Sequence, residues 1–186
     1  MSLPETVFLD RDGTLNVKAP DGEYVTTWDE FTFLPGAQEA VRLLSEHGVR
    51  LVVVTNQRGI ALGRMTEDDL ASIHRGMLDG LTAAGGAIAR IYHCPHAANT
   101  CDCRKPEIGM FLQAQRDFPE IRFEDSAVIG DSGSDMLAAR RVGATPVYLG
   151  PKPLNGMGEI ARHDSLLAAA RELLRADGGL TTATRA

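Results

Sequence analysis

The chain has 186 residues, with 19 Lys and Arg against 25 Asp and Glu, a formal net charge of −6. That length sets one domain with elaborated loops. The acidic balance argues against a nucleic-acid scaffold or a basic membrane-surface protein, but leaves room for an anionic substrate in a locally positive pocket. Apolar residues make up 44%, enough for a core, which excludes disorder as the main state.

In chain order, Val7-Phe8-Leu9 reads as a short strand stopped by Asp10. Neither this run nor Leu51 to Val54 approaches the ~20 apolar residues of a membrane span. Pro35-Gly36 opens a helical pattern with Ala37, Val41, Leu43 and Leu44, closed by Gly48. Val49 to Thr55 is a buried-strand run. Thr66 with Asp69 has the form of a helix cap, and Leu70, Ile73, Met77, Leu78 and Leu81 follow on one face. Ile88 to Tyr92 reads as a strand, Pro106 to Ala114 as a helix and Ser126 to Gly130 as a strand. Asp135 to Val142 reads as a helix, Thr145 to Leu149 as a strand and Leu166 to Leu174 as a last helix. The Gly/Thr/Ala-rich tail from Ala176 to Ala186 is expected to be loose, so residues 1–175 form the expected domain.

Strands alternating with helices imply right-handed βαβ units. The expected fold is α/β, a single doubly wound, Rossmann-like parallel sheet with helices on both faces. The chain is too short for a large cap domain. Loops Leu15 to Leu34, Gln57 to Met65 and Tyr92 to Lys105 are expected to shape the mouth of any site.

Three strands end in polar clusters: Asp10-Arg11-Asp12-Gly13-Thr14, Thr55-Asn56-Gln57, and Gly130-Asp131 with Asp135. In a parallel sheet these ends share one edge, where ligands bind. Asp10 and Asp12, two apart, face one reacting centre in extended backbone. Crowded carboxylates need a cation, and a hard ion such as Mg²⁺ suits Asp10, Asp12 and Asp131. Thr55, Asn56 and Lys105 are placed to bind phosphate oxygens opposite, which makes a phosphoryl-transfer site. Any one cluster alone reads equally well as a turn.

These residues carry a family resemblance. Phe8-Leu9-Asp10-Arg11-Asp12-Gly13-Thr14-Leu15-Asn16, Val52-Val53-Val54-Thr55-Asn56-Gln57, Arg104-Lys105-Pro106 and Ile129-Gly130-Asp131 with Asp135 resemble the four motifs of the haloacid dehalogenase superfamily. The resemblance implies a phosphatase that passes through an aspartyl-phosphate. Asp10 would be the nucleophile, and Asp12 the acid and then the base. Mg²⁺ would lie between Asp10, the Asp12 carbonyl and Asp131. Thr55, Asn56 and Lys105 would hold the phosphoryl group, and Asp135 would orient Lys105 or a metal-bound water.

Cys94, His96, Cys101 and Cys103 supply four soft or borderline ligands within ten residues, a match to a closed, structural Cys₃His zinc site. The alternatives are three reduced thiols beside a surface histidine, or a Cys101–Cys103 disulfide. An odd number of clustered cysteines does not look like a secreted framework, and a cytoplasmic protein is expected. His47, His74, His93 and His163 read as surface or helix residues without a role.

The zinc loop resembles a subgroup that holds heptose-bisphosphate and histidinol-phosphate phosphatases. Thr55-Asn56-Gln57-Arg58-Gly59-Ile60-Ala61, Gly63-Arg64-Met65-Thr66 and Gly22-Glu23-Tyr24-Val25 are similar to the heptose type; the four-residue gap between His96 and Cys101 leans to the other. Ser132 stands where a basic residue is common, and Arg58 where a small one is. The substrate expected from this resemblance is D-glycero-D-manno-heptose 1,7-bisphosphate, losing its 7-phosphate. The alternatives are histidinol phosphate or another small sugar phosphate. Arg58, Arg64 and Arg104 are candidates for a second anionic group of the substrate. No nucleic-acid or membrane partner is expected, and the protein is expected to be a monomer.

Overall fold

The computed structural model describes residues 3–176 and 178. Six parallel strands form one sheet: β1 (Thr6–Leu9), β2 (Arg50–Asn56), β3 (Arg90–Cys94), β4 (Ser126–Gly130), β5 (Thr145–Leu149) and β6 (Ala161–His163). Their order is β3-β2-β1-β4-β5-β6. Five helices cover it: α1 (Ala37–Glu46), α2 (Glu67–Ala83), α3 (Gly109–Asp117), α4 (Gly133–Val142) and α5 (Leu166–Ala176). The chain winds from β1 out through β2 to β3, then crosses back to β4 on the other side of β1. The winding therefore reverses between β1 and β4, and the crevice opens at their carboxyl ends.

β1 is wholly buried, and its side chains alternate between two cores. Val7 and Leu9 pack with Val53 and Ile129 against Val41 of α1, Met77 of α2 and Ala170 of α5. Phe8 points to the other face with Val54 and Val128, against Phe111 of α3 and Ala139 of α4. The Phe8 and Phe111 rings lie 5.0 Å apart at 58°. Burying a side chain of this size contributes roughly 1.5–3 kcal/mol. The expectation of a doubly wound sheet with both faces covered holds.

Local capping sets where the helices begin. Thr66 and Asp69 form a reciprocal capping box on α2, and Ser132 and Asp135 form a second on α4. Gly143, left-handed at φ 84°, ends α4.

Three expectations need correction. The helix expected at Pro106 starts at Gly109, because residues 104–108 form a turn in which the Glu107 amide donates to the Arg104 carbonyl. The third strand runs Arg90–Cys94 rather than from Ile88, since its register is set by pairing Asn56 with Cys94. β6 was not anticipated; Ala-Arg-His has no apolar pattern and is held as a strand only by pairing with β5. The tail expected to be loose lies, apart from Ala176 and Gly178, outside the described residues.

The segment between β1 and α1 is a loop rather than a cap domain, as expected. Asn16 bridges to Phe33 and the Val17 amide donates to the Thr32 carbonyl, closing the loop at its base. Trp28, on a short 3-10 turn, stacks on Phe31 at 5.0 Å and lies against Gly76 of α2. A Cβ at Gly76 would come within 2.5 Å of the Trp28 ring.

Trp28 is the chain's single tryptophan, so its emission reports this docking. Gly76→Ala should shift Trp fluorescence to the red while far-ultraviolet circular dichroism stays unchanged. Unaltered emission would mean that the loop is not pinned here.

Candidate active site

Lys105 is the hub of the site. It is buried, at 3% exposure. Its ammonium has three protons to donate. Its Nζ lies 2.9 Å from Asp10 Oδ1, 2.6 Å from Asp135 Oδ1 and 2.6 Å from the Val54 carbonyl. Its backbone is clamped as well: the Asn56 amide nitrogen donates to the Lys105 carbonyl and the Asn56 Oδ1 accepts from the Lys105 amide, both at 3.0 Å. Burial alone would lower the Lys105 pKa, but Asp10 and Asp135 outweigh it and hold the ammonium above its ordinary value.

Carboxylate oxygens of Asp10, Asp131 and Asp135 lie within 4.8 Å of one another. Burial, opposed by Lys105 and reinforced by Asp135 and Asp12, pushes the Asp10 carboxyl up to about 7. Burial also raises Asp131, against the pull of Lys18, whose Nζ lies 2.9 Å from Asp131 Oδ2. Asp131 Oδ1 is buried with no hydrogen-bond partner. Gly13 admits this approach: a Cβ there would meet Asp131 Oδ2 at 2.2 Å. An orphaned carboxylate oxygen among oxygen donors fits a hard divalent cation.

Asp12 lives in the opposite environment. Arg11 Nη2 and Asn16 Nδ2 donate to its Oδ1 at 2.9 and 3.0 Å, and Gln57 Nε2 donates to its Oδ2 at 2.9 Å. Burial would raise its pKa, but the Arg11 charge and these hydrogen bonds hold it below the usual carboxylate value. Gln57 also donates to Thr55 Oγ1 at 2.9 Å, tying Asp12 to the expected phosphate-binding hydroxyl. A small cavity of about 180 Å³ opens beside Asp12, walled by Lys18, Tyr24, Asn56 and Gln57.

The cysteine and histidine cluster closes the loop that carries Lys105. Cys94 Sγ lies 3.6 Å from His96 Nδ1 and 3.5 Å from Cys101 Sγ; Cys103 Sγ lies 3.2 Å from His96 Nδ1 and 3.3 Å from Cys101 Sγ. Bonds of ~2.3 Å from sulfur to zinc give tetrahedral edges of about 3.8 Å, so the four ligands are nearly at their coordination spacing. The sulfurs stand farther apart than the ~2.05 Å of a disulfide. All three cysteines are free, which removes the Cys101–Cys103 disulfide alternative.

Comparison with known proteins agrees with this geometry. A family model described as HAD-hydrolase-like matches residues 102–149. The D-glycero-beta-D-manno-heptose-1,7-bisphosphate 7-phosphatase of Vibrio cholerae is 41% identical over 163 residues, covering 82% of this chain and 86% of the relative. That of Yersinia pestis is 41% identical over 165 residues, covering 83% and 86%. The chain belongs to this phosphatase family of HAD-like hydrolases. The crystal structure of D,D-heptose 1,7-bisphosphate phosphatase from B. bronchiseptica, complexed with magnesium and phosphate, superposes with a TM-score of 0.83 at 30% identity. It covers 92% of this chain and 99% of its own.

Within this phosphatase framework, several expected residues take more specific places. The Asn56 side chain, expected on phosphate, is spent on the Lys105 peptide. The Asp12 carboxylate, turned to Arg11, Asn16 and Gln57, stands outside the acidic cluster, where Asp135 joins Asp10 and Asp131 instead. Asp135, expected to orient Lys105 or a metal-bound water, is fully buried with its Oδ1 2.6 Å from Lys105 Nζ. Ser132 acts as a helix cap. Arg58 and Arg64 are exposed and make no ion pair among the described residues, while Arg104 carries a buried, unpartnered Nη1. His74, expected as a surface or helix residue, is on a helix and is buried there, on α2. Sequence reading missed Gln57, Arg11, Asn16 and Lys18 as site residues. Gln57 and Arg11 gave a signal by their places in the polar clusters, and Asn16 by closing the first motif, whereas Lys18 gave none.

The raised Asp10 pKa sets a pH dependence. With a folded value of about 7 against an ordinary 3.8, the folded state keeps a proton that the unfolded chain loses. Stability in magnesium-free buffer should therefore fall as pH rises from about 4 to 7. Thermal melts of the parent should show this slope and those of Asp10→Asn should lose it. Parallel curves would remove the assignment.

Proposed function

We propose that the protein is a Mg²⁺-dependent phosphatase that removes the 7-phosphate of D-glycero-β-D-manno-heptose 1,7-bisphosphate through an aspartyl-phosphate on Asp10. The observation that carries this reading is Asp10 at the end of β1, paired with Lys105 and facing Asp131, with the hydrogen-bonded Asp12 two residues on. The substrate rests on the relatives, whose names specify this bisphosphate.

In the first step the Asp10 carboxylate attacks phosphorus, the ester P–O bond breaks, and Asp12 protonates the departing sugar oxygen. In the second, water attacks the acyl-phosphate, Asp12 takes its proton, and phosphate leaves with Asp10 restored. Lys105 offsets charge on the nucleophile, and Thr55, oriented by Gln57, faces the phosphoryl oxygens. The unpartnered Arg104 Nη1 and the exposed Arg58 are the groups assigned to the rest of the anionic substrate. Asp10, Asp131 and the Asp12 carbonyl would hold Mg²⁺, which supplies charge neutralisation at the transferred group. Cys94, His96, Cys101 and Cys103 would hold a structural zinc. The protein acts as a cytoplasmic monomer in this reading, and no helix among the described residues is long and apolar enough to cross a membrane.

The four-residue gap between His96 and Cys101 favours histidinol phosphate as a second reading. A side-by-side turnover assay on the two esters should prefer the heptose bisphosphate; a marked preference for histidinol phosphate would reverse the assignment. Asp10→Asn should lower phosphate release by more than ~1,000-fold, and appreciable residual turnover would exclude the covalent route. Elemental analysis of the dialysed protein should find about one zinc per chain, and Cys103→Ser should lower both zinc content and melting temperature.

A further inference from the structure

Arg11 is among the largest fully buried side chains of the protein, at 1% exposure. A buried guanidinium needs partners. One arm, Nη2, donates to Asp12 Oδ1 at 2.9 Å. The other arm, Nη1, lies 3.5 Å from His74 Nε2, on the inward face of α2. Its Nε has no hydrogen-bond partner. The guanidinium therefore has two tethers, the group it holds and His74. Behind His74, the His93 ring stands 6.0 Å away, and His93 Nε2 pairs with Glu67 Oε2 at 2.9 Å, fixing the outer end of the line to the start of α2.

We propose that Arg11 and His74 are positioning residues for Asp12: His74, fixed on α2, aims the Arg11 guanidinium, and Arg11 aims the carboxylate that serves as acid and base. The inference rests on the phosphatase reading above and adds two residues to its machinery.

For His74 to receive Nη1, Nε2 must carry a lone pair, with the ring proton on Nδ1. The surroundings favour that neutral form: burial, then the Arg11 charge and His93, push the ring pKa down to about 3. α2 is a long helix started by a capping box. It anchors the ring on an element separate from the turn that carries Arg11 and Asp12. Without the His74 tether, the Arg11 guanidinium keeps only its bond to Asp12, and the aim of the carboxylate is left to Asn16 and Gln57. A displacement of about 1 Å at a reacting group costs up to ~100-fold in rate.

A fault in the aim of a general acid has a signature that a fault in folding lacks. An alkyl ester needs the proton from Asp12 as its P–O bond breaks; p-nitrophenyl phosphate does not, because p-nitrophenolate leaves unprotonated. kcat/KM reports on that phosphoryl-transfer step for both. His74→Leu keeps the volume and removes the acceptor, and His74→Gln keeps an acceptor oxygen. His74→Leu should lower kcat/KM on the heptose bisphosphate about tenfold and on p-nitrophenyl phosphate less than about twofold. The melting temperature should be little changed, and His74→Gln should recover most of the loss. Equal losses on both esters, no loss on either, or a loss that His74→Gln leaves unrepaired would overturn the proposal. A parent enzyme inactive on both esters would instead sink the phosphatase reading and this inference with it; an active parent with equal losses sinks the inference alone.

Discussion

One buried ammonium ties the catalytic edge together. Lys105 joins the carbonyl of Val54 at the end of β2, Asp10 at the end of β1 and Asp135 on the first turn of α4. Those groups come from three separate segments, and nothing in the sheet ladder forces their side chains to meet. Removing a charge from water costs several kcal/mol, and an ion pair repays that only when hydrogen bonds satisfy the remaining protons. Here the ammonium donates to the Val54 carbonyl and stands in ion-pair distance of both carboxylates. The arrangement holds only if the Lys105 backbone stays in place, and two other features see to that. Asn56 spans its peptide on both sides, and the Cys94, His96, Cys101, Cys103 cluster draws the preceding loop into a small knot. The cysteine cluster thus gathers the loop that leads into Lys105.

The same constraint separates two aspartates that stand two residues apart. Asp10 faces other carboxylates and a single lysine, so burial dominates and its proton affinity rises. Asp12 faces a guanidinium and two amide donors, so its proton affinity falls although it too is buried. The residue type is identical; the neighbours decide. A divalent cation at Asp10 and Asp131 would supply the positive charge that the first aspartate lacks and the second already has.

Much of this frame was legible in the sequence, for a reason that also marks its limits. β1, β2 and β4 are buried on both faces, so they read as continuous apolar runs ending in polar residues, and their ends had to share an edge. The capping box at Thr66 and Asp69 is a local pattern and was equally readable. β6 was not, because its three residues owe their conformation to the neighbouring strand. The direction of side chains at the site was also hidden. Asn56 looks like a phosphate ligand in a linear reading, and only the fold shows its amide turned to the Lys105 peptide. Arg11 sits between two aspartates in sequence, and that spacing does not show what it faces; its burial beside His74 comes from α2 lying against the β1 loop. Spacing reveals which residues reach an edge, and packing decides what each one faces there.

The fixed charge on Asp12 orders the events of the proposed mechanism. Its neighbours keep it ionised, which suits the base of the second step, yet the first step asks it for a proton. A phosphate dianion seated near Thr55 adds negative charge beside it, and like charge raises a carboxyl's proton affinity. In the proposed mechanism, substrate binding thus creates the acid that cleavage needs. Once the sugar has left with that proton and the phosphoryl group is bonded to Asp10, Arg11, Asn16 and Gln57 again favour the carboxylate, which is then ready to take a proton from water. An environment that merely neutralised Asp12 would serve the first half of the cycle and stall the second; one that favours the charged form, with the substrate as the opposing influence, serves both.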